Sequence, residues 1–175
     1  MHRVTKTYGH NLGLSVCFRQ HAATSHCKFL HGYALEIKLT FAAPELNENN
    51  WVIDYGSLKP VKKWLEENFD HKTLIAEDDP SLKLFQDMNE EKSIGGKLID
   101  MIVVPFVGCE GFAQHIYANA HFTLVNAAKE GTLQGGAENG VFLESVEVRE
   151  HPANSAIYTP NHIVDLRGRP VNYVR

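Results

Sequence analysis

A chain of 175 residues, 43% hydrophobic and 22% charged, is long enough for one packed domain and short for two. Its net charge of -4, with lysines and arginines scattered along it, argues against a direct nucleic-acid partner. Three cysteines at no regular spacing (Cys17, Cys27 and Cys109) make a disulfide framework improbable, and no run of about 18 apolar residues offers a membrane span. A single cytoplasmic domain over residues 1–175 is expected, with no signal peptide in the polar, histidine-rich start.

In chain order, residues 14–21 and 31–41 read as strands, the second alternating Leu35, Ile37, Leu39 and Phe41 against Glu36, Lys38 and Thr40. They make an antiparallel pair. Residues 47–50 are turn chemistry, and after them Ser57 is the expected N-cap of a helix. Leu58, Val61, Trp64, Leu65 and Phe69 form its apolar face, and it ends near Asp70. Residues 76–104 read as an irregular insertion with an apolar run, 98–104, at its end. A second long helix covers 110–129, with Ala113, Ile116, Tyr117, Ala120, Leu124 and Ala127 on one face and Gly131 closing it. Residues 134–140 are turn-rich, 141–149 alternate as a strand, 155–158 form another, and the tail 160–175 is non-periodic. The order ββααββ predicts an α+β fold: a four-stranded antiparallel sheet with two long helices on one face.

The stretch from Cys27 to Tyr33 sets a thiol, the His31 imidazole and Gly32 at the mouth of the second strand, with His21 and His26 just upstream. Neutral imidazoles so clustered suit a metal, and they equally suit a solvated loop. Cys27 reads either as an inert buried thiol or as a base activated by its neighbours. Asp70 beside His71 can fix the imidazole tautomer of a proton shuttle, or merely cap a helix end. Glu110 opens a helix and Glu150 ends a strand, each with an ordinary structural explanation.

Taken together, these segments resemble the 6-pyruvoyl-tetrahydropterin synthase and 6-carboxy-tetrahydropterin synthase family. The family's Cys-x-x-x-His-Gly-His appears as Cys27, His31 and Gly32, with Tyr33 in place of the second motif histidine. Val52-Ile53-Asp54-Tyr55-Gly56-Ser57-Leu58-Lys59 is similar to its Val-x-Asp-Phe-x-x-Leu-Lys, and Phe69-Asp70-His71-Lys72-Thr73-Leu74 to its Leu-Asp-His-x-x-Leu. Gly108-Cys109-Glu110-Gly111-Phe112-Ala113 matches more loosely, and Val146-Glu147-Val148-Arg149-Glu150 matches Val-x-Val-x-Glu.

The resemblance implies a tunnelling fold in a homo-oligomer, a hexamer by analogy, with pockets between neighbouring chains. It implies a pterin substrate, 7,8-dihydroneopterin triphosphate, held by Glu150 with Glu110. It also implies a Zn2+ ion on His21, His31 and His26, with the Tyr33 phenolate as the other candidate for the third ligand. Cys27 would be the base, and Asp70 with His71 a second proton-transfer unit. The implied product is 6-carboxy-5,6,7,8-tetrahydropterin for 7-deazaguanine (queuosine) synthesis. A pyruvoyl product, or a metal-free pterin-binding protein, are the alternatives.

Overall fold

Strand β1 (His2–Tyr8) opens the chain where no element was expected, and it lies antiparallel along the far half of β3 (His31–Ala43), from His2 opposite Ala43 to Tyr8 opposite Ile37. The computed structural model describes residues 1–92, 95–134 and 137–171. The near half of β3 pairs antiparallel with β2 (Leu14–Phe18), and β3's other edge carries β6 (Phe142–His151) and then β7 (Asn154–Tyr158). Two further strands, β4 (Lys72–Ala76) and β5 (Met101–Val104), extend the sheet beyond β2, both in parallel pairing. The order is β5-β4-β2-β3-β6-β7, with β1 also on β3.

The expectation of four antiparallel strands in the order ββααββ is therefore corrected to seven strands in a mixed sheet among the described residues. The physical reasons differ. β1 buries only Tyr8, so a polar two-sided strand gave no alternation to detect. β4 is buried at four successive positions, from Thr73 to Ala76, as a strand covered on both faces is, and so it carries no period of two. The supposed insertion 76–104 holds α2 (Leu82–Asn89) and β5, closing a strand-helix-strand unit; its residues 93 and 94 lie outside the described set.

The two expected helices are α1 (Lys59–Phe69) and α3 (Cys109–Lys129). Leu35, Ile37, Leu39 and Phe41 are fully buried, in one core with Val61, Leu65 and Phe69 of α1 and Phe112, Ile116, Ala120 and Leu124 of α3. Each such side chain stabilises the fold by about 1.5–3 kcal/mol relative to exposure. The start of α1 differs in detail from the expectation. Asp54 accepts from Gly56 N–H at 3.0 Å and begins a 3-10 turn, Tyr55–Leu58, that runs into α1. Ser57 is not a cap: it is buried, and its hydroxyl accepts from Gln134 N–H at 2.9 Å. Gly131 does close α3, at φ 70°. Gly135 and Gly136 of the turn-rich stretch, and residues 172–175 of the tail, lie outside the described residues. The rest of the tail folds back, with Leu166 buried and its N–H donating to Val141 O at 2.9 Å. No helix among the described residues is long and apolar enough to cross a membrane.

Candidate active site

The β2–β3 register places Phe18 opposite His31 and Val16 opposite Tyr33. Directly opposed residues share a face, and Phe18 and Val16 are buried, so His31 and Tyr33 point to the helix-covered side. Gly32 between them is required by close approach: a Cβ there would sit 2.5 Å from the Val16 carbonyl oxygen. The connecting loop is held across its base by Gln20 N–H, which donates to Cys27 O at 2.9 Å. Ser25 accepts from Cys27 N–H and starts a single 3-10 turn, His26–Lys28, which leaves Cys27 half-buried and His26 exposed.

Tyr33 is braced by three rings: Phe18 at 6.3 Å, His31 at 5.8 Å edge-on and His151 at 6.4 Å. Its hydroxyl makes no hydrogen bond among the described residues. Burial raises its pKa, and the charges of Glu150, Cys27 and Cys109 raise it further. Cys109, the first residue of α3, is buried, and its thiol is hydrogen-bonded to the Glu150 carboxylate. Burial first, and then the Glu150 charge, push that thiol up to about 12. Alternation puts Glu150 on the face of Val146 and Val148, at the residue where the β6–β7 register slips between Arg149 and His151. Glu110 follows Cys109, is exposed, and also acts on its charge. Gly108, at φ 97°, precedes them; a Cβ there would meet Gln20 Nε2 at 2.8 Å, so the α3 start and the β2–β3 loop abut.

His21, His26 and His31 do not form a metal-holding trio among the described residues. His31 has its Nδ1 2.7 Å from Phe29 O, and His21 its Nδ1 3.9 Å from Asp79 Oδ2, so each keeps Nε2 free. That is how metal-binding imidazoles are usually oriented. His26 does not join them, being exposed on the 3-10 turn. Two residues past His31, on the same face, stands a phenol. Among the described residues no three His, Cys, Asp or Glu side chains form a metal-holding group. A protein zinc site takes at least three donors, with nitrogen and sulfur preferred, and the residues here do not complete one.

Asp70 and His71 pair closely, Nδ1 to Oδ1 at 2.6 Å, with His71 at φ 55° just past α1. The His71 side chain is 86% exposed and opens on a depression of about 480 Å³ that it shares with Ser15, Cys17, Gly32 and Tyr33.

Two features of the site had no expectation attached. Asp79, on the loop between β4 and α2, has a fully buried carboxylate that accepts from Arg19 Nε at 2.8 Å and Nη2 at 2.6 Å, and from Ser81 N–H at 2.8 Å. Arg19 holds its pKa below the usual carboxylate range. Arg19 lies two residues before His21, so the pair ties the strand-helix-strand unit to the candidate ligand loop. His151, beside Glu150, is the other. Neither belonged to a motif, and only the adjacency of Arg19 and His21 could have hinted at the first.

A seven-stranded mixed sheet packed with helices, with His31 and the ring-braced Tyr33 where β3 begins, defines an α+β domain of the pterin-synthase type. The chain belongs to the 6-pyruvoyl tetrahydropterin synthase family, whose model matches residues 5–161. A stretch of 57 residues is 40% identical to the 6-carboxy-5,6,7,8-tetrahydropterin synthase of Rickettsia felis, covering 32% of this chain and 41% of that relative. The protein of the same name from Aquifex aeolicus is 30% identical over 93 residues, or 51% of this chain and 55% of that one. The matches thus span about half, or less, of the length of these curated relatives. Among solved structures, an uncharacterized protein from Wolinella succinogenes superposes with a TM-score of 0.70 at 18% identity, covering 91% of this chain and 98% of the other. The 6-pyruvoyl tetrahydropterin synthase of Plasmodium falciparum does so at 0.62 and 16%, covering 91% and 97%. At these identities the structures establish the fold.

Proposed function

We propose that this chain is a pterin lyase that converts 7,8-dihydroneopterin triphosphate and water to 6-carboxy-5,6,7,8-tetrahydropterin, acetaldehyde and triphosphate, a step towards 7-deazaguanines. The observation that carries this reading is the β2–β3 register, which sets His31 and the ring-braced Tyr33 on one face at the start of β3, with Cys27 on the turn just before that strand and His151, next to Glu150, 6.4 Å from Tyr33 ring to ring. A carboxylate accepts two parallel hydrogen bonds from the 2-amino and ring N–H groups of a pterin, and Glu150, with Glu110, suits that task. Cys27 as thiolate then removes the hydrogen on the side-chain carbon next to the ring. The names of the Rickettsia and Aquifex relatives favour the carboxy product. Only part of a zinc ligand set is present, in His21 and His31, so the proton chemistry rests on the chain's own groups.

Asp70 and His71 form the second proton-transfer unit, contributed to a neighbouring chain's site. The exposure of the His71 side chain supports this, as do the outward apolar side chains Phe29, Phe106, Phe122 and Ile157, at 61–66% exposure. The outer edge of β7 is open to another copy. A hexamer on this plan places each pocket at a subunit boundary.

Incubation with dihydroneopterin triphosphate, followed by mass analysis of the pterin and assay of acetaldehyde, tests the proposal. Carboxy-tetrahydropterin with acetaldehyde is expected. A pyruvoyl product would move the chain to the other branch. Tyr33 favours one second reading, a pterin-binding protein without turnover, and bound pterin with no product would establish it.

A further inference from the structure

We infer that Tyr33 is a catalytic residue of this site, donating a hydrogen bond to a side-chain oxygen of the substrate where a third metal-binding imidazole would otherwise stand. This role rests on the pterin-lyase reading. Three observations on the chain carry it. The phenol shares a face with His31 two residues away and is fixed by rings on three sides, so its oxygen has a defined position. That hydroxyl makes no hydrogen bond among the described residues, so its donor is uncommitted. No three His, Cys, Asp or Glu side chains form a metal-holding group among the described residues.

A neutral phenol polarises an oxygen by donation, as a metal ion does by accepting a lone pair. Its hydrogen bond draws electron density from the adjacent carbon, so that the C–H bond there breaks with its proton passing to the Cys27 thiolate. The electron pair forms a C=C bond to the ring carbon, the π pair of the ring C=N bond moves onto its nitrogen, which takes a proton from solvent, and Tyr33 keeps its proton throughout. A donor fixed in advance, beside buried groups, is more effective than the water it replaces.

The test compares the full-length wild type with Tyr33→Phe and Tyr33→His in three measurements: zinc by elemental analysis, binding of 7,8-dihydroneopterin by fluorescence, and turnover of its triphosphate. The wild type should carry far less than one zinc per chain. Tyr33→Phe should bind the pterin within about twofold of wild type and turn over about 100-fold more slowly, as for loss of one oxyanion-type donor. Tyr33→His should gain about one zinc per chain, completing a three-nitrogen set. Full turnover by Tyr33→Phe, or a stoichiometric zinc in the wild type, overturns the inference while leaving the lyase reading intact. A wild type that makes no product sinks the lyase reading, and with it this role.

Discussion

At the level of single residues, the candidate pterin anchor depends on a partner far away in sequence. Glu150 at the end of β6 meets Cys109 at the start of α3, and a buried thiol is a weak but well-placed donor. Glu150→Gln should weaken pterin binding by about 1.5–3 kcal/mol, the range for hydrogen bonds to a charged group. Cys109→Ala should weaken it less, and Cys109→Ser, which restores a donor, should recover most of that loss. A fluorescence titration reads all three, and equal affinities for Cys109→Ala and Cys109→Ser would show that the thiol only fills space. Glu150 was legible from its strand-end motif, and Cys27, His31 and Gly32 from theirs, because each motif is short and local. The Cys109–Glu150 contact was not, since only the packing of α3 on β6 creates it. Tyr33 was visible as a departure, and its bracing rings came only with the register.

At the level of elements, α1, α3, β2 and β3 followed from periodicity, since each has one more buried and one more exposed face, and β6 from its alternating residue types. β1 and the β4-α2-β5 unit lacked that contrast. The unit is joined to the site through Asp79, which supports a prediction of its own. The Arg19 hydrogen bond holds the Asp79 carboxyl below its ordinary value, so the carboxylate is favoured in the folded state. Its contribution to stability is present above the unfolded pKa, about 3.9, and is lost as pH falls through the lower folded value. Asp79→Asn should cost about 3 kcal/mol at neutral pH, because Arg19, with 21% of its side chain exposed, loses its charge partner. Chemical denaturation at pH 7 and again near pH 3 should show the gap between variant and wild type narrowing in acid. A gap that stays constant would assign the effect to packing.

At the level of the whole molecule, part of the proposed machinery faces outward. Cys27 is half-buried on the turn before β3, while the Asp70–His71 pair just past α1 has its imidazole 86% exposed. Closed symmetric assembly repeats every such surface, so an outward pair on one copy can serve the thiol of the next. If it does, Cys27→Ala and His71→Ala chains, each inactive alone, regain activity when unfolded together and reassembled. With random mixing, about a quarter of the sites draw an intact Cys27 from one chain and an intact His71 from its neighbour. Mixed assemblies should therefore reach about a quarter of wild-type turnover, and dilution that separates the copies should abolish it. A pair acting within its own chain predicts a different outcome. Every site would then carry one lesion, and mixed assemblies that sediment at the wild-type size would stay inactive.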